Sequence, residues 1–191
     1  MDKRIIATRN KIENSFVELL KRNRFEDLTV ERIIRNANVS RGTFYKHYED
    51  KNDVLNKVIN NFVLNCSVIL KQAKIEVDYS QIFEKTVYSY NIKLLNYFHE
   101  NRDLILQIKL QGLNQMLDKL LKIQMKNALL ENISYLGAGK HEHLEFIVEY
   151  VVSGNLGMIY YWLETNETID DTEIASLSLK MGVNGALRLL E

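Results

Sequence analysis

The 191-residue chain has no proline, a single cysteine and only 8 glycines, and each scarcity removes a class of answers. Without proline nothing interrupts a long helix from within, and with so few glycines little invites tight β-turns. The lone Cys66 rules out an intramolecular disulfide framework and a multi-cysteine metal site; it reads as an ordinary buried thiol. No N-terminal segment joins basic residues to an apolar run and a small-residue cleavage site. The most apolar run, Leu156 to Leu163, is far shorter than the roughly 20 residues that span a bilayer. The expectation is a cytoplasmic protein, neither exported nor inserted in a membrane.

What is present is 46% hydrophobic and 26% charged residues, the usage of a soluble globular protein long enough to bury a sizeable core. An all-α fold follows as the prior. Lys+Arg and Asp+Glu each number 25, so there is no basic coat overall. The distribution is uneven: residues 1–56 carry 12 basic against 9 acidic side chains, net +3, and residues 57–191 carry 13 against 16, net −3. That modest asymmetry favours a basic N-terminal module.

The chain is organised around Thr29 to Lys51, TVERIIRNANVSRGTFYKHYEDK. Thr29 caps a short helix that turns Val30, Ile33, Ile34 and Ala37 inward. Asn38 stands where the backbone needs a positive φ, which asparagine tolerates better than most residues. Ser40 then caps a second helix by accepting the amide of Gly42 or Thr43. Phe44 and Tyr48, four apart, share its docking face, and Gly42, Thr43, Tyr45 and Lys46 turn to the other. This is a helix-turn-helix, whose second helix lies in the DNA major groove. Ahead of it, Asp2 to Arg22 reads as a helix with an apolar stripe of Ile5, Ile12, Phe16, Leu19 and Leu20. Its Lys3, Arg4, Arg9 and Lys11 suit either a solvated surface or an anchor on DNA phosphate.

Thr29-Val30, Ile33, Ala37-Asn38-Val39-Ser40, the run Gly42 to Tyr48, and Lys51 together resemble the DNA-binding head of the tetracycline-repressor (TetR/AcrR) family over residues 1–56. Asn38 departs from the glycine usual in that pattern. The resemblance implies a dimeric, all-helical, ligand-responsive transcription factor, usually a repressor. By position it implies that Arg41, Gly42 and Thr43 read bases from the recognition helix, whose N-cap is Ser40. Tyr45, Lys46 and His47 would touch phosphate or groove edges, and Thr29 and Lys51 would contact backbone phosphate.

Asp50 caps a fourth helix, continued by Val54, Leu55, Val58, Ile59 and Phe62 to about Ile75. A domain boundary therefore falls inside a helix: residues 1–56 form the DNA-binding domain and 57–191 a helical ligand-binding and dimerisation domain, about nine helices in all. Further helices are expected from Ser80, from Asn101, over Leu113 to Asn132, over His143 to Glu164, and from Asp170, with a break at Gln111-Gly112 and a loop at Tyr135 to Gly139. Small residues at Gly154, Gly157, Gly182 and Gly185, flanked by bulk, suit a four-helix interface between two copies. The expected dimer residues are Gly154, Met158, Tyr161, Trp162, Ile174, Met181 and Gly185. The aromatic density of the middle helices suits a small organic effector held by Phe83, Tyr88, Tyr90, Tyr97, Phe98, Met116, Phe146 and Tyr150. His141 and His143 lack a cysteine or carboxylate partner for a metal, so neither metal nor cofactor is expected.

No phosphate-cradling glycine loop, nucleophile elbow or HExxH is present, so the chain does not read as an enzyme. Two rivals remain. A helical protein-interaction module would keep Phe44 and Tyr48 yet not need Thr43 or Lys46. A DNA-bound activator working with a partner protein would keep the whole fold. The expected partners are a double-stranded operator, an organic effector and a second copy of the chain.

Overall fold

A chain without proline can carry its helices to full length, and the computed structural model consists of nine α-helices with no strand among the described residues. Those residues are 3–71, 82–135, 141–165, 169–182 and 185–186; the side chains of 82–90 and 134–135 lie outside the description. The helices are α1 (Lys3–Leu20), α2 (Val30–Ala37), α3 (Arg41–Tyr45), α4 (Lys51–Lys71), α5 (Ile82–Glu100), α6 (Arg102–Leu110), α7 (Asn114–Tyr135), α8 (Leu144–Glu164) and α9 (Asp171–Gly182). The end of the fourth helix at Ile75, the cap at Ser80 and the loop residues 136–139 fall outside the described residues.

The chain divides into two compact units, Met1–Phe62 with Asp103–Leu117, and Val63–Arg102 with Asp118–Glu191. The first division lies within α4.

In the first unit Ile12, Phe16 and Leu20 of α1 are buried with Ile33 of α2, Phe44 of α3, and Val54 and Ile59 of α4. Ile105 and Ile108 of α6 belong to the same buried set. The apolar stripe of α1 is shorter than its spacing predicts: Ile5 is 38% exposed, whereas Ile12 is fully buried. Local chemistry sets the ends. Asp50 Oδ1 accepts the amides of Asn52 and Asp53 at 2.7 and 2.9 Å, and Asp53 Oδ2 accepts the amide of Glu49 at 3.1 Å, a reciprocal cap that starts α4. The Asp50 carboxyl is lowered chiefly by the Asp53 amide bond. At the end of α6, Gly112 takes φ +69°, and the amide of Leu113 returns to the carbonyl of Ile108 at 2.9 Å.

In the second unit α8 is apolar around most of its circumference, burying Val148, Val152, Leu156, Ile159, Trp162 and Leu163. Val148 and Val152 form a cluster with Ile133 of α7, walled by Met125, Leu129, Leu130 and Leu144. Helix α9 packs on α5 and α8 and is opened by Asp170, whose Oδ1 accepts the Glu173 amide at 2.8 Å. Between these helices a polar chain runs from Asn91 Nδ2 to Ser178 Oγ (3.4 Å) and from that hydroxyl to Asn155 Oδ1 (2.5 Å). Two residues expected at a subunit interface are instead interior. Trp162 is 2% exposed with its indole N–H donating to the carbonyl of Ile169 at 2.9 Å, and Ile174 is 3% exposed; both rings and branches are already enclosed within one chain.

Candidate functional site

The helix-turn-helix is built as its caps dictate. Thr29 is extended (φ −112°, ψ 154°) and its hydroxyl accepts the Arg32 amide at 3.3 Å, opening α2. Asn38 is left-handed (φ 51°, ψ 52°), and the amides of Asn38 and Val39 return to the carbonyls of Arg35 and Ile34, each at 3.2 Å. Ser40 (φ −77°, ψ 155°) accepts the Thr43 amide at 3.0 Å, and its hydroxyl lies 2.7 Å from that of Thr43. One left-handed residue between two hydroxyl caps thus sets the angle at which α3 leaves α2.

Helix α3 separates two faces. Phe44 is fully buried and Tyr48 nearly so, with rings 5.8 Å apart. Arg41, Gly42, Tyr45 and Lys46 are exposed, and Thr43 and His47 are half-buried. A Cβ on Gly42 would meet only Ser40 Oγ, at 4.0 Å, so intramolecular packing does not demand a glycine there. Arg41 pairs with Glu31 of α2 at 3.3 Å and lies 5.8 Å from the Tyr45 ring centroid. With both partners largely in solvent, that ion pair contributes at most about 1 kcal/mol, so the guanidinium is free to exchange Glu31 for another anion. Lys46 has no ion-pair partner among the described residues.

Lys51 differs from its expected role. Its ammonium donates to the carbonyls of Phe25 (2.7 Å) and Glu26 (3.0 Å) and sits 4.6 Å from the Phe25 ring centroid. The side chain is turned into the head and holds the α1–α2 loop.

The reading face rests on a polar hub that the sequence pattern did not reveal. The Tyr48 hydroxyl donates to Glu13 Oε1 at 2.6 Å, and Asn61 Nδ2 of α4 donates to Glu13 Oε2 at 2.7 Å. One carboxylate of α1 therefore ties the end of the recognition segment to α4. Burial first, and then the Glu13 contact, push the Tyr48 hydroxyl above the ordinary tyrosine range, so it stays a donor. The only sequence signal is the Glu13 position itself, one residue from the buried Ile12.

In the second unit, the expected effector residues scatter. Phe98 is fully buried, and the half-buried Tyr97 accepts from Asn65 Nδ2 at 2.9 Å. Tyr160 donates to Asp118 Oδ1 at 2.5 Å, and burial raises its hydroxyl. Cys66 is enclosed, and burial pushes its thiol up to about 12. The side chains of Phe83, Tyr88 and Tyr90 lie outside the description, and Met116, half-buried, belongs to the first unit. Phe146 and Tyr150 are not interior walls: at 80% and 67% exposed they stand on the outer face of α8. With Gly154, Gly157 and Tyr161 they recur at intervals of three and four along that face. Tyr150, Gly154 and Met158 border a shallow groove completed by Met181 and Gly182 of α9. Gly185 is exposed just beyond α9, where a Cβ would collide with the Met181 carbonyl. Among the described residues no helix is long and apolar enough to cross a membrane.

Comparison with known proteins agrees with this geometry. Residues 17–58 match the model described as bacterial regulatory proteins, tetR family, and residues 85–182 match one described as a transcriptional regulator C-terminal region. The uncharacterized HTH-type transcriptional regulator YxbF of Bacillus subtilis (strain 168) is 30% identical over 71 residues, which are 37% of this chain but only 18% of that protein. The dihydroxyacetone kinase operon activator DhaS superposes with a TM-score of 0.66 at 19% identity, covering 97% of each chain. The transcriptional regulator FadR from Bacillus subtilis, solved with stearoyl-CoA, gives 0.68 at 17% identity over 92% of this chain and 97% of that one. With a head model on the helix-turn-helix and a second model over more than half of its length, the chain belongs to the TetR family of transcriptional regulators.

Proposed function

We propose that the chain is a repressor that binds a near-palindromic operator as a homodimer and is released by a small organic effector in the cytoplasm. The observation that carries the reading is the two-sided α3: Phe44 and Tyr48 are buried, while Arg41, Gly42, Tyr45 and Lys46 face solvent. Arg41, Gly42 and Thr43 are assigned to base edges, with Ser40 presenting them, and Thr29, Tyr45, Lys46 and His47 to phosphate or groove edges. The outer face of α8, Phe146 to Tyr161, with Met181 of α9, is the surface assigned to the second copy; an apolar stripe of this size needs cover. Two symmetry-related heads then read half-sites roughly 34 to 36 Å apart. Residues 1–56 carry the DNA contacts and 57–191 the effector and dimer contacts, with α6 of the latter stretch sharing the compact unit of the head.

The effector releases DNA only by binding the DNA-incompatible state more tightly. FadR supports an effector site by its stearoyl-CoA. A second reading, a DNA-bound activator with a partner protein, is favoured by the likeness to an operon activator. Gel shift on a duplex isolated by binding-site selection tests both. Lys46→Ala should weaken binding and lower the salt slope by about one, and Thr43→Ala should relax base preference. Full, salt-insensitive binding by both variants rejects the head assignment. Transcription in a defined system, falling or rising with added protein, separates repressor from activator.

A further inference from the structure

The segment that leads into the helix-turn-helix, Lys21 to Leu28, is a run of turns in which the amides of Lys21, Arg22, Asp27 and Leu28 bond to nearby carbonyls, and the backbone groups left over must find partners elsewhere. Three side chains supply them. Arg32 of α2 donates to Asn23 Oδ1 at 2.7 Å and to the Asp27 carbonyl at 3.4 Å. Lys51 of α4 holds the carbonyls of Phe25 and Glu26. The third comes from far along the chain: Gln111, just past the end of α6. Its Oε1 accepts the Phe25 amide at 2.5 Å, and its Nε2 reaches the carbonyls of Asn23 (3.3 Å) and Leu20 (3.4 Å).

The placement of Gln111 follows from local chemistry. The left-handed Gly112 ends α6 immediately after it, with the Leu113 amide turned back to Ile108. Ile105 and Ile108 are buried in the same unit as the head, which fixes the end of the helix. The short arm of a glutamine then reaches the loop with a donor and an acceptor at once. Phe25, whose amide it caps, is buried edge-on against Phe16 of α1, at 6.2 Å between centroids. Thr29, the cap of α2, follows four residues later.

We infer that Gln111 is a positioning residue for DNA reading: α6 completes the DNA-binding unit, and the Gln111 amide sets the register in which Phe25 and hence Thr29 enter α2. This rests on the operator reading above. Without Gln111 the Phe25 amide has no partner, the competent loop is less populated, and apparent affinity falls by that fraction.

The test uses the full chain, the selected duplex and the variants Gln111→Met and Gln111→Glu. Gln111→Met keeps the length of the side chain and removes all its hydrogen bonds. It should bind about tenfold more weakly, with an unchanged salt slope and faster hydrogen exchange at the Phe25 amide. Gln111→Glu keeps the acceptor for that amide, so its exchange should stay slow and part of the affinity should return. A direct phosphate contact would lower the salt slope, and a purely structural role would lower the unfolding midpoint with affinity intact; either result overturns the proposal. Wild-type affinity in Gln111→Met with wild-type DNA binding established overturns this inference alone. Failure of the wild-type chain to select any duplex overturns it together with the operator reading.

Discussion

Replacing Tyr48 with phenylalanine removes one oxygen from the head and little else. The ring is 3% exposed and packs beside Phe44, so Tyr48→Phe leaves no cavity and keeps the apolar burial. What disappears is the 2.6 Å bond to Glu13. A hydrogen bond to a charged group contributes about 1.5 to 3 kcal/mol. Glu13 is only half-buried and keeps its 2.7 Å bond from Asn61, so the low end applies, about 1.5 kcal/mol. For a chain of this length that lowers the unfolding midpoint by about 3 to 6 °C if melting is cooperative. Urea unfolding of Tyr48→Phe, Glu13→Ala and the double variant would measure the effect and the coupling between the two side chains. Glu13→Ala should cost more than Tyr48→Phe, because it leaves both the Tyr48 hydroxyl and the Asn61 amide without an acceptor. If Tyr48→Phe stays within about 0.3 kcal/mol of wild type and the two changes add, the hub does not bind α1, α3 and α4 together.

Asp50→Ala should destabilise the chain by about 1 kcal/mol through loss of the α4 cap, measurable by thermal unfolding at neutral pH. The folded Asp50 carboxyl lies below its ordinary value, so its contribution is full above about pH 4 and is lost as pH falls through the folded value; Asp50→Asn, which can still cap, should remove that part of the acid dependence. Cys66, with its thiol pushed up to about 12, should hold about a thousandfold less thiolate than a free cysteine at pH 8. Its reaction with a disulfide reagent should follow unfolding, and rapid labelling of the native chain would refute the burial.

The local features were legible because their causes lie within a few residues. Asn38 was expected at positive φ, Ser40 and Asp50 as caps, and Phe44 and Tyr48 on the docking face, since caps and i, i+4 faces depend on near neighbours alone. The all-helical class followed from composition and spacing in the same way. What the chain does with a polar group met across the fold was not legible. Lys51, at a helix start, was as compatible with phosphate as with the carbonyls of Phe25 and Glu26, and nothing near Glu13 or Gln111 in sequence names Tyr48 or Phe25 as a partner; Gln111 and Phe25 are 86 residues apart.

The most apolar helix faces a different ambiguity. Helix α8 is apolar around most of its circumference, so periodicity cannot say which stripe is covered. Spacing alone places Trp162 and Ile174 at an interface and Phe146 and Tyr150 in a pocket, whereas the fold encloses the first two and leaves the other two in solvent. By itself the sequence determined the helices, their caps and the turn that presents α3, because those depend on contacts within a turn or two. Only the tertiary structure decided which faces are buried and which distant side chain completes each backbone bond, because those choices belong to helices brought together from far along the chain.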